Sequence, residues 1–419
     1  MNWKLDSQSE YSSLIILLFL VMGLSTLAQT PLDNYLYIGA QNNPGLKSKF
    51  ASYHASLEKV PQVGSLPNLN VAFGYFVSPI ETRIGPQQAK ISVSQMFPWF
   101  GTLNRTEDVY TDRAKADYEV FEERKSKLYF NIKSAYYKIY FVEKGIAITR
   151  ENIGILQTFQ QLALIKVETG KSSVVDELRV EMELLELENQ LALLLDSKMA
   201  LEVEFHQLIN DSSNAPIQIP DSLWDENFSL DKNVILDSIN TNNHLVKELD
   251  FKISTWQNAE IASRKTGGPQ ILLGVDYAFI GENDNTTVEN NGKDAIMPMI
   301  GLSIPLYRKK YNALVSEASY NMQSAQFEKD NKQNELRILF EKVYRDYSDA
   351  NRRIYLYQRQ TALAKKSLNI LLTSYSSDGK NFEEVLRMER KLLEFSLELD
   401  KARTDKNAAV AFVDYLMGK

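Results

Sequence analysis

The stretch LRVEMELLELENQLALLLDSKMALEVEFHQL fills residues 178–208, and LRMERKLLEFSLELDKARTDKNAAVAFVDYL fills residues 386–416. Laid over each other at a shift of 208, without a gap, they share ten identities in 31 positions. Leu178-Arg179 meets Leu386-Arg387, Glu181 meets Glu389, Leu184-Leu185-Glu186 meets Leu392-Leu393-Glu394, and Lys198 meets Lys406. Val180, Leu184, Leu187, Leu191, Leu194, Leu201, Phe205 and Leu208 recur every three or four residues, as one face of a helix does, with Lys198 the single interruption. Met388, Leu392, Phe395, Leu399, Ala402, Ala409, Val413 and Leu416 repeat that pattern, interrupted only at Lys406. A polar residue at the same stripe position in both copies marks an internal duplication.

Working outward, Pro67 and Pro269 each precede an alternating run. Leu69, Val71, Phe73, Tyr75 and Val77 share one face in the first, and Ile271, Leu273, Val275, Tyr277 and Phe279 do so in the second. A second strand follows in each half, near Ala89–Phe97 and Ala295–Ile304. Helical patterns then run over Leu103–Val167 and Ser172–Asn210, and over Ala313–Tyr375 and Phe382–Met417. Each half therefore reads as short helix, two strands, long helix, Gly turn, long helix. This predicts a first repeat over 29–210, a linker over 211–229 and a second repeat over 230–419.

Strands of about ten residues, apolar on one face and small or polar on the other, suit a transmembrane β-barrel wall. Four strands cannot close such a barrel, because about eight is the smallest single-chain size. Open edges are not tolerated in lipid. Strands in a membrane thus require several protomers to share one barrel. Leu178, Met182, Leu185, Ala192, Met199 and Val203 add a second apolar line nearly opposite the first, which fits a helix with neighbours on both sides. The expected fold is a mixed α/β membrane protein, internally duplicated, with long coiled-coil helices and four transmembrane strands per protomer.

The 419 residues carry 47 Lys+Arg against 54 Asp+Glu, a net charge of −7, which argues against nucleic acid as a partner. The absence of Cys excludes disulfides, thiolate metal sites and a lipidated Cys anchor. Leu14–Leu24 is an apolar run too short to span a bilayer comfortably, and Thr26-Leu27-Ala28 resembles a cleavage site. Residues 1–28 thus read as a signal peptide of an exported chain.

Catalytic chemistry finds little support. His54, His206 and His244 are scattered, without HExxH, a nucleophile elbow or a P-loop, so neither an enzyme nor a cofactor is expected. His206 falls on the weaker apolar line and reads as a packed histidine. Met297 and Met299, a soft-metal pair by residue type, sit on a strand where packing or lipid contact explains them. The polar Gly281–Ala295 loop holds Asp284, Glu289 and Asp294 without EF-hand spacing and reads as a solvated outward loop.

The two Gly turns carry more. Gly170 and Gly379 fit reversals between helices, with Ser172, Ser173 or Asn381 available to cap the helix that restarts. Asp176 and Glu384 are equivalent under the shift of 208. In a closed oligomeric tube every protomer would project both acids toward one end, a carboxylate ring that favours cations.

At these residues the chain resembles TolC-family outer-membrane efflux proteins over nearly its whole length. The resemblance rests on Asn42-Asn43-Pro44-Gly45-Leu46, Ser65-Leu66-Pro67-Asn68 and Gln95-Met96-Phe97-Pro98-Trp99-Phe100-Gly101. It rests also on the two Gly turns with their following Leu-Arg, and on Tyr415-Leu416-Met417-Gly418. It implies a homotrimer sharing a twelve-stranded barrel in the outer membrane of a Gram-negative bacterium, above a long periplasmic helical barrel. It implies a periplasmic adaptor, an inner-membrane pump and outer-membrane lipid as partners. The Gly170 and Gly379 turns would form a periplasmic tip closed by polar links, with Asp176, Glu384 and Tyr375 among its residues. Arg387 stands where relatives repeat an acid, and Lys380 or Asn381 stands in for a basic latch. The heavy-metal branch often has a similar Phe97–Gly101 stretch, which implies export of metal ions or small toxic compounds. The alternative from another class is a periplasmic or surface coiled-coil scaffold without a pore.

Overall fold

The computed structural model describes residues 30–170, 173–213, 215–284, 288–378 and 382–419, so the expected signal peptide lies outside the described residues. The first half builds α1 (Pro31–Asn42), α2 (Pro44–Gly64), β1 (Asn70–Ile80), β2 (Gln87–Phe97), α3 (Thr102–Glu168) and α4 (Val174–Ile209). The second repeats the order with α5 (Lys232–Asn242), α6 (His244–Thr266), β3 (Gln270–Ile280), β4 (Ala295–Ser303), α7 (Lys309–Asp378) and α8 (Phe382–Leu416).

Each half opens on two short helices where periodicity suggested one, and an asparagine makes both breaks. Asn43 precedes Pro44, whose ring disfavours helical backbone in the residue before it, and adopts φ −61, ψ 118. Asn243 takes φ −58, ψ 128, and its side chain accepts from Leu245 N at 3.0 Å, capping α6. Both amides then reach across the fold. Asn43 Nδ2 donates to Leu208 O at 2.9 Å, and Asn243 Nδ2 donates to Leu416 O at 2.9 Å. Leu208 and Leu416 are themselves equivalent under the shift of 208, and both carbonyls lie in the last turn of a helix, where intrahelical donors run out.

The strands form one antiparallel sheet in the order β1-β2-β3-β4. Its register aligns Phe73, Ile91, Tyr277 and Ile296 across one face, and Ala72, Ser92, Asp276 and Met297 across the other. Met299 shares the small, polar face, where it packs over Gly274: a Cβ built there would meet its Cε at 3.3 Å. Asp276 is buried on this face against Lys90, with which it forms an ion pair.

Two compact units divide the described chain. The first takes the residues up to Pro44, Lys127–Ser229 and Lys342–Tyr415; the second takes Gly45–Ser126, Leu230–Glu341 and Leu416–Lys419. Each unit thus draws on both halves of the sequence. The second holds the whole sheet, and the first holds the turn between α3 and α4 together with the facing ends of α7 and α8.

Within the first unit, residues 211–229 form no helix or strand among those described, yet side chains fasten them. Tyr136 Oη donates to Gln218 O at 3.0 Å, and Tyr140 Oη accepts from Leu223 N at 3.1 Å. Trp224 packs against Tyr136 and Tyr137, with its carbonyl bonded to Asn407 Nδ2 at 2.9 Å. Lys406, the break in the apolar stripe, is buried and donates to Asp225 at 2.6 Å. Its counterpart Lys198 pairs with Glu143 on α3. Each interruption of the stripe is thus a lysine held by an acid from another element.

Candidate functional site at the paired helix turns

Gly170 closes α3 with φ +67, a left-handed conformation that glycine enters without strain. Ser173 then restarts the chain as α4, its hydroxyl accepting from Val175 N at 3.2 Å. Ser172, Gly379, Lys380 and Asn381 lie outside the described residues.

Four helices meet behind the turns through one apolar cluster. Leu156, Phe159 and Ala163 come from α3, Val180 and Leu184 from α4, Leu368 and Tyr375 from α7, and Phe382, Val385 and Leu386 from α8. Tyr375 is fully buried, with its ring centroid 4.7 Å from that of Phe382.

Lys166 occupies the core-facing row of α3 after Phe159 and Ala163. It is buried, with Nζ 4.0 Å from the Tyr375 ring centroid, and it donates to the Tyr375 carbonyl. That carbonyl belongs to the last turn of α7, where no intrahelical donor remains and the helix dipole is negative. One ammonium thus serves as a C-terminal cap for a neighbouring helix and as a cation over an aromatic face.

A second tie joins α4 to α8. Arg179 Nη1 lies 3.3 Å from Glu383 and 3.6 Å from Asp176 on its own helix. Glu384 pairs in the same way with Arg387, three residues on. Asp176 and Glu384, which align at the shift of 208, are therefore each matched by an arginine at the same spacing. Both also sit in the first turn of a helix, where a carboxylate complements the dipole. One turn deeper, Arg390 on α8 pairs with Glu183 on α4.

Among the sequence-derived residues, Gly170, Asp176, Tyr375, Glu384 and Arg387 fall at this one end of the helix cluster. Lys166, Glu383 and Arg390 were not singled out in the sequence. Lys166 carries a legible signal as the lone charge on an otherwise apolar row, whereas Glu383 is one of two adjacent acids and its pairing shows only in three dimensions.

The histidines stand apart. His54 packs edge-on to Phe50 at 4.5 Å, and His206 is buried beside Phe205. His244 lies between Glu119 at 2.6 Å and the Gly418 carbonyl at 3.2 Å. Among the described residues no three His, Cys, Asp or Glu side chains are placed to hold a metal ion. Asp294, one of the loop acids, bonds Tyr277 Oη at 2.6 Å and Ile280 N at 2.9 Å. No helix of the described chain is long and apolar enough to cross a membrane.

The sequence matches no protein-family model and no curated protein. Solved structures match over nearly the full chain. A membrane protein from Pseudomonas aeruginosa superposes with a TM-score of 0.75 at 13% identity, covering 93% of this chain and 94% of its own. The outer membrane protein VceC from Vibrio cholerae gives 0.74 at 14% identity, covering 92% and 96%. The open state of the MtrE outer membrane channel of Neisseria gonorrhoeae gives 0.73 at 14% identity, covering 92% and 88%. The fold is that of the TolC-like outer-membrane channels. At such low identity it is the TolC-like architecture that is shared, while most of the side chains filling it differ.

Proposed function

We propose that the chain is a TolC-family outer-membrane channel, the passive exit duct of a tripartite efflux system in a Gram-negative bacterium. The observation that carries this is a sheet apolar along one face whose two edge strands, β1 and β4, pair on their inner sides alone and have outer edges without a partner among the described residues. The strands alternate in direction, so β4 of one protomer runs antiparallel to β1 of the next. Three copies then close a twelve-stranded barrel without an edge.

The helices support the same assembly. Leu178 is 52% exposed while its equivalent Leu386 is 4% exposed; Leu185 is 62% exposed while Leu393 is 7%. The second apolar line, with Leu178 and Leu185, is thus bare on α4, while its counterpart on α8 is covered. On α7, Leu356, Leu363 and Ile370 are exposed at seven-residue spacing, the seam of a coiled coil. A neighbouring protomer would bring the bare faces of α4 and α7 together and bury both.

In this reading the paired turns are the periplasmic tip, and the Lys166–Tyr375 and Arg179–Glu383 ties hold it closed. A periplasmic adaptor and an inner-membrane pump bias the tip toward an open state and supply the energy. The Phe97–Gly101 stretch supports metal ions or small toxic compounds as the cargo.

Cysteine crosslinking tests the shared barrel in a chain that has no native Cys. β1 and β4 are separated by two strands, about 14 Å, too far for a disulfide within one chain. Phe73→Cys is combined in turn with Ile296→Cys, Pro298→Cys and Ile300→Cys. A covalent ladder ending at three chains for one combination supports the barrel. Monomer throughout, with membrane-extracted protein, contradicts it.

A further inference from the structure

Glu389 lies on the covered face of α8 and is 3% exposed, and neither carboxyl oxygen has a hydrogen-bond partner or meets solvent. Its duplicated counterpart Glu181, on α4, faces outward. The same residue at the same repeat position is thus solvated once and sealed once. An ionised carboxylate without partners is costly to bury, and such a site keeps its proton.

The charged groups around it add to that bias. From α3, the Glu151 carboxylate repels an ionised Glu389. From α4, Glu183 and Glu186 line a crevice of about 80 Å³ beside it. On α8 itself Arg390, the one cation lining that crevice, is engaged by Glu183. Burial first, and Glu151 second, push the Glu389 carboxyl above the usual glutamate range. An uncharged Glu389 lets α3, α4 and α8 close around it. An ionised one draws water in from the crevice and separates them.

We infer that Glu389 is a proton-controlled clasp on the bundle behind the paired turns, closed when protonated and loosened when the carboxyl ionises. The link to gating rests on the channel reading, but the clasp itself does not. With a folded-state pKa raised above the unfolded one, the stabilisation is complete below the ordinary glutamate value. It falls as pH rises, until the folded group has itself ionised. The clasp therefore weakens toward alkaline pH.

Hydrogen–deuterium exchange of the full-length protein in detergent tests this, with rates corrected for intrinsic pH dependence. The wild type should lose protection in the last turns of α3 and the first turns of α8 as pH rises above the ordinary glutamate range. The expected loss is about tenfold for each unit by which the carboxyl is raised. Glu389→Gln, neutral and isosteric, should hold the low-pH protection throughout, while Glu181→Gln should behave as wild type. A wild-type bundle whose protection does not change with pH overturns the proposal, as does Glu389→Gln tracking the wild type. Bilayer recordings separate the two readings: no current under any condition, with exchange as expected, defeats the channel and leaves the clasp standing.

Discussion

Lys166 and Tyr375, on different helices and 209 positions apart, are joined twice, through the carbonyl of Tyr375 and through its ring. The lysine is buried, so the tie is not diluted by solvent as a surface pair is. The Arg179–Glu383 pair on the neighbouring helices is exposed and contributes about 0–1 kcal/mol.

Replacing Lys166 by Met keeps the apolar stem and removes the charge. A hydrogen bond to a charged group contributes roughly 1.5–3 kcal/mol, and the Tyr375 carbonyl would also be left without its donor. In the channel proposed above, with the paired turns as its closed tip, Lys166→Met should raise the open probability well above that of the wild type. Arg179→Ala should raise it only slightly. Equal effects of the two variants would show that the buried tie has no special role.

The carboxylates of Asp176 and Glu384 are each offset by an arginine three residues on. In the proposed channel, removing both acids together with both arginines should therefore change ion selectivity little. Removing both arginines, in Arg179→Ala with Arg387→Ala, should shift reversal potentials toward cations. A strong loss of cation preference in the variant lacking all four side chains would show that the arginines do not offset the acids.

Leu185 is exposed on α4 and Leu187, two residues on, is buried in the cluster. Leu187→Ala should destabilise the protomer by about 2–5 kcal/mol, as core truncations do. Leu185→Glu should leave the protomer folded but prevent assembly, read as a loss of trimer with unchanged circular dichroism. A trimer that survives Leu185→Glu means that no neighbouring copy covers this face.

The hydrogen bond from Lys406 holds the Asp225 carboxyl below the usual aspartate range. A lowered folded-state pKa contributes stability above the unfolded value, lost as pH falls through the folded one. The melting temperature of the wild type should exceed that of Asp225→Asn at neutral pH, and the gap should close under acid. A gap of constant size from neutral pH into acid would mean that the pair does not fasten the linker.

The repeated stripe was legible because burial selects helical spacing directly. Val180, Leu184 and Leu187 on α4 and Ala402, Ala409 and Val413 on α8 are buried, whereas Met388, Leu392, Phe395 and Leu399 of the same stripe are half-buried and Leu386 and Leu393, off that stripe, are sealed. The strands were legible because Val71, Phe73, Val275 and Tyr277 alternate with small or polar neighbours. The break at Asn43 has a local sign in Pro44 and the one at Asn243 has none of that kind, while the hydrogen bonds that hold both run to a helix end more than 160 positions away. Equivalent residues with opposite surroundings, such as Glu181 and Glu389, are beyond any local pattern: periodicity places both on the same helix face, and only the neighbouring helices decide which is sealed.

The most direct test of the shared barrel is the mass of the protein extracted from the outer-membrane fraction, corrected for bound detergent. The account predicts a detergent-dependent particle of three chains. A water-soluble monomer or dimer would mean that β1 and β4 do not meet another copy in lipid, and would favour a coiled-coil scaffold instead.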